Sequence, residues 1–175
     1  KGAWSHLSRV VKPTGTVALT DSNGRKWTDT PASWMTLARP GATIEDAASL
    51  LSTSFIPSHV KIILIAVGVN NRLDDPALLL KKLTELHRST KKCGCRILFA
   101  EIPVHPNMSS KESRGVANVN KTARDIFSAR NFVSLPEDII VTAAGPNTRD
   151  TVHYDKSTAD QVIARFIQIV DALNL

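Results

Sequence analysis

Two short polar stretches, far apart in the chain, contain the residue types that serine-based acyl transfer requires. In Asp21-Ser22-Asn23-Gly24 a serine follows an apolar run, and in Asp150-Thr151-Val152-His153 an acid precedes a histidine by three residues. Acyl transfer of this kind needs a hydroxyl nucleophile, a base that removes its proton, and an acid that fixes the tautomer of the base. We therefore interpret Ser22 as a nucleophile, His153 as its base and Asp150 as the orienting acid.

The surroundings of Ser22 support this interpretation. Val17-Ala18-Leu19 is an apolar run long enough for one buried strand, and the residues after Thr20 are turn formers. Open α/β sheets bind their ligands just beyond the carboxyl ends of their strands, and this pattern puts Ser22 there. By itself the stretch is more typical of a plain turn or a helix cap. Asp150 and His153 would separately be interpreted as a loop acid and a surface histidine. Their presence together favours a catalytic role for Ser22 over a plain turn.

Two further loops contain candidate donors for an oxyanion, the charge that develops on the carbonyl oxygen during acyl transfer. Gly41 follows a second strand-like segment and offers its backbone N–H. Gly68-Val69-Asn70-Asn71 follows the most apolar strand candidate and offers the side-chain amide of Asn70. We expect these loops to meet Ser22 at one edge of a parallel sheet. The alternatives are turn glycines, and a helix-capping role for Asn70 or Asn71.

Strand and helix patterns alternate along the chain. Strands are predicted at 16–20, 61–67, 96–102 and about 131–135. Helices are predicted at 43–51, 76–92, 110–130 and 157–173, with a Thr43/Asp46 capping box on the first and Ser110 capping the third. The segment 25–37 is ambiguous between helix and strand. Continuously apolar strands that alternate with helices indicate an open parallel sheet with helices on both faces.

Length and composition are those of an ordinary globular chain. The 175 residues are 42% hydrophobic and 22% charged, which predicts one domain over 1–175 with an irregular lead-in at 1–15. No apolar run is long enough to cross a bilayer. Because the sequence begins at Lys1 rather than Met, we expect it to be a piece of a longer protein.

The charge favours acidic partners. The net charge is +6 at pH 7 and the pI is about 9.6, which is compatible with nucleic acid or anionic lipid, but we interpret the spread basic residues as a solvated basic face. Aromatic residues make up only 5% of the chain, which argues against a platform that stacks single-stranded bases. Cys93 and Cys95 are interpreted as passive thiols in a helix-to-strand turn, and they indicate a reducing compartment.

Several common site motifs are missing from the sequence. There is no Gly-rich dinucleotide fingerprint, no Walker-type loop, no Gly-x-Ser-x-Gly elbow and no His-Glu-x-x-His zinc signature. We therefore expect neither a metal nor a cofactor. The other histidines lack an acid at the same spacing in a turn-like setting and are interpreted as structural: His6, His59, His87 and His105.

Taken together, the candidate residues resemble the four blocks of the SGNH (GDSL-type) hydrolase family. Asp21-Ser22 stands where the family has Gly-Asp-Ser, with Thr20 in place of the glycine. Gly68-Val69-Asn70-Asn71 resembles the Gly-x-Asn-Asp block, with Asn71 in place of the aspartate, and 150–153 matches Asp-x-x-His. The similarity spans about residues 16–173.

This resemblance implies a fold, an activity and a set of site residues. The fold would be a flavodoxin-like three-layer α/β/α sandwich with a mostly parallel central sheet of about five strands. Ser22, His153 and Asp150 would hydrolyse an ester without a cofactor. An oxyanion hole would be formed by the N–H groups of Ser22 and Gly41 and by the amide of Asn70.

A narrower resemblance concerns Pro40-Gly41-Ala42-Thr43-Ile44-Glu45-Asp46. This loop is similar to that of the esterase domains carried by some LINE-type retrotransposon first-frame proteins. It implies a cytoplasmic parent protein that meets RNA in a ribonucleoprotein particle, with this module cleaving small acyl or lipid esters. Two alternatives stay open: a module that binds RNA or membrane through its basic face with little turnover, and a different specificity such as carbohydrate deacetylation or thioester cleavage.

Overall fold

The computed structural model describes residues 14–173, so nearly all of the predicted lead-in lies outside the described residues. Five parallel strands form one sheet in the order β2-β1-β3-β4-β5. Their bounds are β1 Thr16–Thr20, β2 Trp34–Ala38, β3 Ile62–Ala66, β4 Arg96–Ala100 and β5 Phe132–Val133. The central position of β1 and β3 agrees with their continuously apolar sequences, because such strands are covered on both faces.

Four helices cover the two faces of the sheet. They are α1 Ile44–Thr53, α2 Pro76–Thr90, α3 Ser110–Phe127 and α4 Lys156–Asp171. Side chains from α1, α2 and α3 share one hydrophobic cluster with one face of the sheet, and side chains from α4 share a second cluster with the other face. The predicted three-layer α/β/α sandwich with a five-stranded parallel sheet is therefore confirmed.

The helix starts follow from local capping chemistry. The predicted capping box of α1 is present, since the Thr43 side chain accepts from the Asp46 N–H while Asp46 accepts from Thr43. The predicted cap of α3 is wrong by one residue. Ser109, not Ser110, caps it, because Glu112 lies three residues after Ser109 and completes the box there.

The segment that the sequence left ambiguous divides into two elements. A short 3₁₀ turn occupies Ser22–Lys26, and β2 begins at Trp34. Trp27 and Trp34 are both buried against the α4 side of the sheet. The strand choice is decided by pairing, because β2 aligns along its whole length with β1.

Two further observations concern membrane-spanning helices and the two cysteines. No helix in residues 14–173 is both long enough and apolar enough to cross a membrane. Cys93 and Cys95 are free and lie between α2 and β4. Burial raises the pKa of both thiols, that of Cys95 to about 12, so neither forms a reactive thiolate near neutral pH.

Candidate active site

The register of the sheet brings the candidate loops to one edge. Thr20, the last residue of β1, pairs with Ala38 of β2 on one side and with Ala66 of β3 on the other. The segments containing Ser22, Gly41 and Asn70 leave the sheet just after these three residues. The predicted convergence at the carboxyl ends of the strands is therefore present.

Ser22, His153 and Asp150 form a continuous hydrogen-bonded chain. The Oγ atom of Ser22 lies 2.8 Å from Nε2 of His153. The Nδ1 atom of His153 lies 3.0 Å from Oδ2 and 3.2 Å from Oδ1 of Asp150. A carboxylate on Nδ1 holds the proton there and leaves Nε2 free to accept the hydroxyl proton, which is the arrangement that a serine nucleophile requires.

Asp150 is held as an anion. Burial by itself would raise the pKa of its carboxyl, but hydrogen bonds from the N–H groups of His153 and Val152 and from the imidazole outweigh it and lower the pKa to about 2. Both N–H groups donate to Oδ1 at 3.0 Å. The Asp150 carboxylate is therefore charged at neutral pH.

A hydrogen bond between Asp21 and Asn23 stabilises the turn that carries Ser22. Asp21 caps the 3₁₀ turn, its Oδ1 accepting from the Asn23 N–H at 2.8 Å. The side chain is only 5% exposed, and burial raises the pKa of its carboxyl to about 6. Asp21 thus places a titratable group directly beside Ser22 in the chain.

The two candidate oxyanion donors are adjacent to each other. Gly41 adopts φ +72°, a conformation that other residues rarely take, at the turn into α1. The amide Nδ2 of Asn70 donates to the Ala42 carbonyl oxygen at 2.9 Å, which leaves its second N–H for another acceptor. Within residues 14–173 the backbone N–H groups of Ser22 and Gly41 donate to no protein group. Asn70 and the turn at Gly41 thus contact each other at the edge where Ser22 lies, and their role as oxyanion donors stays a prediction.

An ion pair that the sequence did not predict links the loop after Asn70 to the His153 loop. Arg72 binds Glu112 through Nε at 3.0 Å and Nη2 at 2.9 Å, and both groups are largely buried. Thr151 joins them, since Nη2 of Arg72 donates to its Oγ1 and this hydroxyl donates to Glu112, each at 3.0 Å. Hydrogen bonds from the backbone and side chain of Ser109, from Arg72 and from Thr151 outweigh burial and lower the pKa of Glu112 to about 2.

A second clamp on this loop comes from the segment after β4. His105 is 3% exposed, and its Nε2 lies 3.0 Å from the carbonyl oxygen of His153. Its Nδ1 accepts from the Asn107 N–H at 3.1 Å, so Nε2 carries the proton and donates. Asn107 in turn donates to the Asp150 carbonyl oxygen at 3.0 Å. The interpretation of His105 as structural agrees with these contacts, but no local sequence pattern predicts that it contacts this loop.

Comparison with solved structures identifies the fold. The chain aligns with a GDSL-like lipase from Bacteroides thetaiotaomicron at a TM-score of 0.67 and 11% identity, covering 96% of this chain and 95% of that one. It aligns with the lipase/acylhydrolase from Enterococcus faecalis at 0.66 and 14% identity, covering 90% and 95%. The catalytic domain of Streptococcus pneumoniae peptidoglycan O-acetyltransferase A matches at 0.68 and 15%, covering 91% and 93%. The chain has the fold of the GDSL lipases and acylhydrolases.

No family model matches the sequence, and no curated protein matches it. At 11–15% identity the similarity to the solved structures establishes the GDSL-type fold and leaves the activity to the residues of the site.

The structure explains the first departure from the GDSL pattern, Thr20 in place of glycine. The Thr20 side chain is buried, and its Oγ1 donates to the Asp21 carbonyl oxygen at 2.8 Å. It fills the space beside Gly24, where a Cβ would overlap the threonine hydroxyl. The absence of a Cβ at Gly24, four residues on, thus leaves room for the Thr20 side chain.

The second departure, Asn71 in place of aspartate, also has a physical reason. Oδ1 of Asn71 accepts from the Ile44 N–H at 2.9 Å, so this residue caps α1 from another loop. Its Nδ2 donates to Glu45 at 2.8 Å and to Asp74 at 2.9 Å. An aspartate could not donate to two carboxylates and would add a third negative charge. The alternative of a helix-capping role is confirmed for Asn71.

Proposed function

We propose that the chain is a serine esterase in which Ser22 is the nucleophile, His153 the base and Asp150 its orienting acid. The hydrogen-bonded chain from Ser22 Oγ through the imidazole to the Asp150 carboxylate carries this proposal. The GDSL-type fold, which hosts lipases and acylhydrolases, supports it as an analogy.

The reaction would proceed in two halves. Ser22 Oγ attacks the ester carbonyl carbon while its proton passes to His153 Nε2, and the new oxyanion accepts hydrogen bonds from Asn70 and the backbone N–H groups of Ser22 and Gly41. The imidazolium then protonates the leaving alcohol oxygen as the C–O bond breaks. In the second half, water gives a proton to Nε2, attacks the acyl-serine and releases the acid, and Ser22 recovers its proton.

The substrate class that we propose is a small acyl or lipid ester. The GDSL-type neighbours are a lipase and an acylhydrolase, and an acetyltransferase domain shares the fold. From the resemblance of the loop around Gly41 we further propose that the parent protein is a LINE-type retrotransposon product that meets RNA in the cytoplasm, as part of a ribonucleoprotein particle.

Hydrolysis of a chain-length series of nitrophenyl esters tests the proposal. We expect Ser22→Ala and His153→Ala to abolish turnover, and Asp150→Asn to impair it strongly because the imidazole loses its fixed tautomer.

Asn70→Ala should lower kcat about 100- to 1000-fold with little change in KM, since an oxyanion donor acts in the transition state.

Labelling by a fluorophosphonate identifies the nucleophile independently of the substrate. The wild type should be labelled once, at Ser22, and circular dichroism should show that the unreactive Ser22→Ala variant is folded. Retained activity in that variant, or labelling at another residue, would exclude the assignment. Full activity in Asn70→Ala would leave the oxyanion to the two backbone N–H groups.

A further inference from the structure

Asn23, the residue after the nucleophile, contacts the main chain on both sides of the base. Its Nδ2 donates to the Val152 carbonyl oxygen at 3.0 Å, and its Oδ1 accepts from the Tyr154 N–H at 3.3 Å. Val152 and Tyr154 flank His153. One side chain therefore joins the backbone that carries Ser22 to the backbone that carries His153, across a separation of about 130 residues in the chain.

Burial and hydrogen bonds hold the Asn23 side chain in one orientation. It is 6% exposed, and its own N–H donates to the buried Asp21 carboxyl at 2.8 Å. Only one orientation of the amide fits the two partners, because a carbonyl oxygen requires an N–H and an N–H requires an oxygen. A carboxylate lacks the donor and an apolar side chain of this size lacks both groups, so neither could make both bonds.

The loop that Asn23 holds has little regular structure of its own. Residues 134–155 contain no helix and no strand of the sheet, and a bridge between Ala143 and Tyr154 is the one isolated β-bridge in the described chain. The His153 side chain is 43% exposed, and the acid that binds its Nδ1, Asp150, lies on the same loop. Its distance from Ser22 therefore depends on where the main chain of the loop is anchored.

Several other contacts hold this loop from elements that do not carry Ser22. Arg72 reaches Thr151 from the loop after β3, and His105 reaches the His153 carbonyl from the segment after β4. Besides the Ser22–His153 bond itself, two side chains of the turn that carries Ser22 reach the residues beside the base: the Asn23 amide, and Lys26, whose Nζ donates to the Tyr154 carbonyl oxygen. Of these two, Asn23 is the one that binds main-chain atoms on both sides of His153. The hydrogen bonds of Asn23 run directly between the turn of Ser22 and the loop of His153, without an intervening element.

We propose that Asn23 is a positioning residue that sets the distance between Ser22 Oγ and His153 Nε2. The role rests on the proposed esterase function. Loss of the amide would leave the substrate contacts in place and weaken proton transfer from Ser22, so it should lower kcat and leave KM nearly unchanged. A misplacement of about 1 Å between catalytic groups can cost on the order of 100-fold in rate.

A purely structural role for Asn23 is the alternative, and Asn120 provides the matched control. The Asn120 amide also bridges main chain, accepting from the Ile102 N–H and donating to the Ile102 carbonyl oxygen, both at 2.9 Å. Asn120→Leu removes two equivalent hydrogen bonds without touching the turn of Ser22 or the loop of His153. Asn23→Leu removes the two bonds that flank the base.

The experiment measures ester hydrolysis, the fluorophosphonate labelling rate and the fraction folded for wild type, Asn23→Leu, Asn23→Asp and Asn120→Leu. Asn23→Asp keeps the acceptor for Tyr154 N–H, loses the donor to Val152, and provides a second test if the leucine variant unfolds. We expect both Asn23 variants to lose about 10- to 100-fold in kcat and in labelling rate per folded molecule. Asn120→Leu should keep the wild-type values per folded molecule.

Three results would overturn the positioning role. The Asn23 variants could retain wild-type kcat, could lose activity only in proportion to their unfolded fraction, or could raise KM at constant kcat. A wild type that neither hydrolyses esters nor reacts with the fluorophosphonate would instead refute the esterase function, and the positioning role with it. The two failures are therefore distinguishable.

Discussion

At the residue scale, the turn that carries Ser22 contains a buried ionisable side chain, Asp21. Asp21 is buried beside Ser22, and burial raises the pKa of its carboxyl from 3.8 to about 6. Its one strong hydrogen bond, from the Asn23 N–H, only partly offsets the loss of water. An acid in such a position destabilises the fold when it is charged, and positions of this kind are common at functional sites.

Asp21→Asn should therefore change how stability depends on pH. The folded state binds the proton more tightly than the unfolded state, so between about pH 4 and pH 6 the free energy of unfolding of the wild type falls as pH rises. The difference amounts to roughly 3 kcal/mol for a shift of this size. Asparagine keeps an acceptor for the Asn23 N–H and does not ionise, so the variant should gain stability relative to the wild type as pH rises.

Urea unfolding at several pH values between 4 and 7 measures this difference. Asp125→Asn, which removes an exposed carboxylate from α3, corrects for the change in net charge. A difference between Asp21→Asn and the wild type that does not vary with pH would show that burial has little effect on the Asp21 carboxyl.

At the element scale, α3 supports the site through its first two turns. Glu112 caps the helix through Ser109 and also binds Arg72 and Thr151. One turn further on, Gly115 lies against the Arg72 carbonyl, and a Cβ there would overlap that oxygen. The close approach of α3 to the loop after Asn70 thus requires a glycine in the helix.

Gly115→Ala tests this contact by the sign of its effect. Helix propensity alone predicts that alanine stabilises an α-helix by about 1 kcal/mol relative to glycine. Overlap with the Arg72 backbone predicts the opposite, a loss of about 1–3 kcal/mol as α3 or the loop shifts. We expect the loss, together with lower esterase activity per folded molecule, because the shift would disturb Asn70 and Thr151.

Denaturant unfolding of Gly115→Ala gives the sign directly. Asn118→Ala, at an exposed position of the same helix, reports the propensity effect without the overlap and should be neutral or slightly stabilising. If Gly115→Ala were as stable as Asn118→Ala, the loop of Arg72 could shift to make room for the Cβ without loss of stability.

At the scale of the whole molecule, one group of basic residues lies at the end of the sheet opposite the candidate site. The candidate site is at the carboxyl ends of the strands, whereas five cations lie at the amino ends or at the helix ends beside them: Lys61, Lys91, Lys92, Arg96 and Arg130. None of these five forms an ion pair with an acid of the described residues. Helix carboxyl ends favour cations, so this edge has a purely structural explanation as well.

We expect weak RNA binding that is lost at high salt and is separable from hydrolysis. Charge without aromatic stacking gives contacts to phosphates only, and such binding falls steeply with salt concentration. The double variant Lys91→Glu/Lys92→Glu should weaken RNA binding and leave ester hydrolysis unchanged. Filter binding of a single-stranded RNA at about 50 and 200 mM salt measures this.

Lys81→Glu/Lys111→Glu makes the same change in net charge at exposed positions away from this edge. If it weakened RNA binding equally, the effect would belong to the net charge and not to the edge. Tight binding that persisted at high salt would favour the alternative of a binding module.

The sequence by itself predicted most of the elements and the candidate reacting groups. Apolar runs, capping residues and turn formers act locally, so β1, β3, α1 and α2 are predicted nearly at their observed bounds. An acid three residues before a histidine is equally local. Together with a serine after a buried strand, it singled out Ser22, Asp150 and His153 from the residue types alone.

Only the tertiary structure decided how these groups are held. Asn23, Arg72 and His105 contact a loop that is distant from each of them in the chain. Nothing in their immediate neighbours distinguishes them from ordinary surface or turn residues, because their partners are main-chain atoms and one hydroxyl. Strand register and helix packing choose those partners, and a single sequence encodes them only through the completed fold.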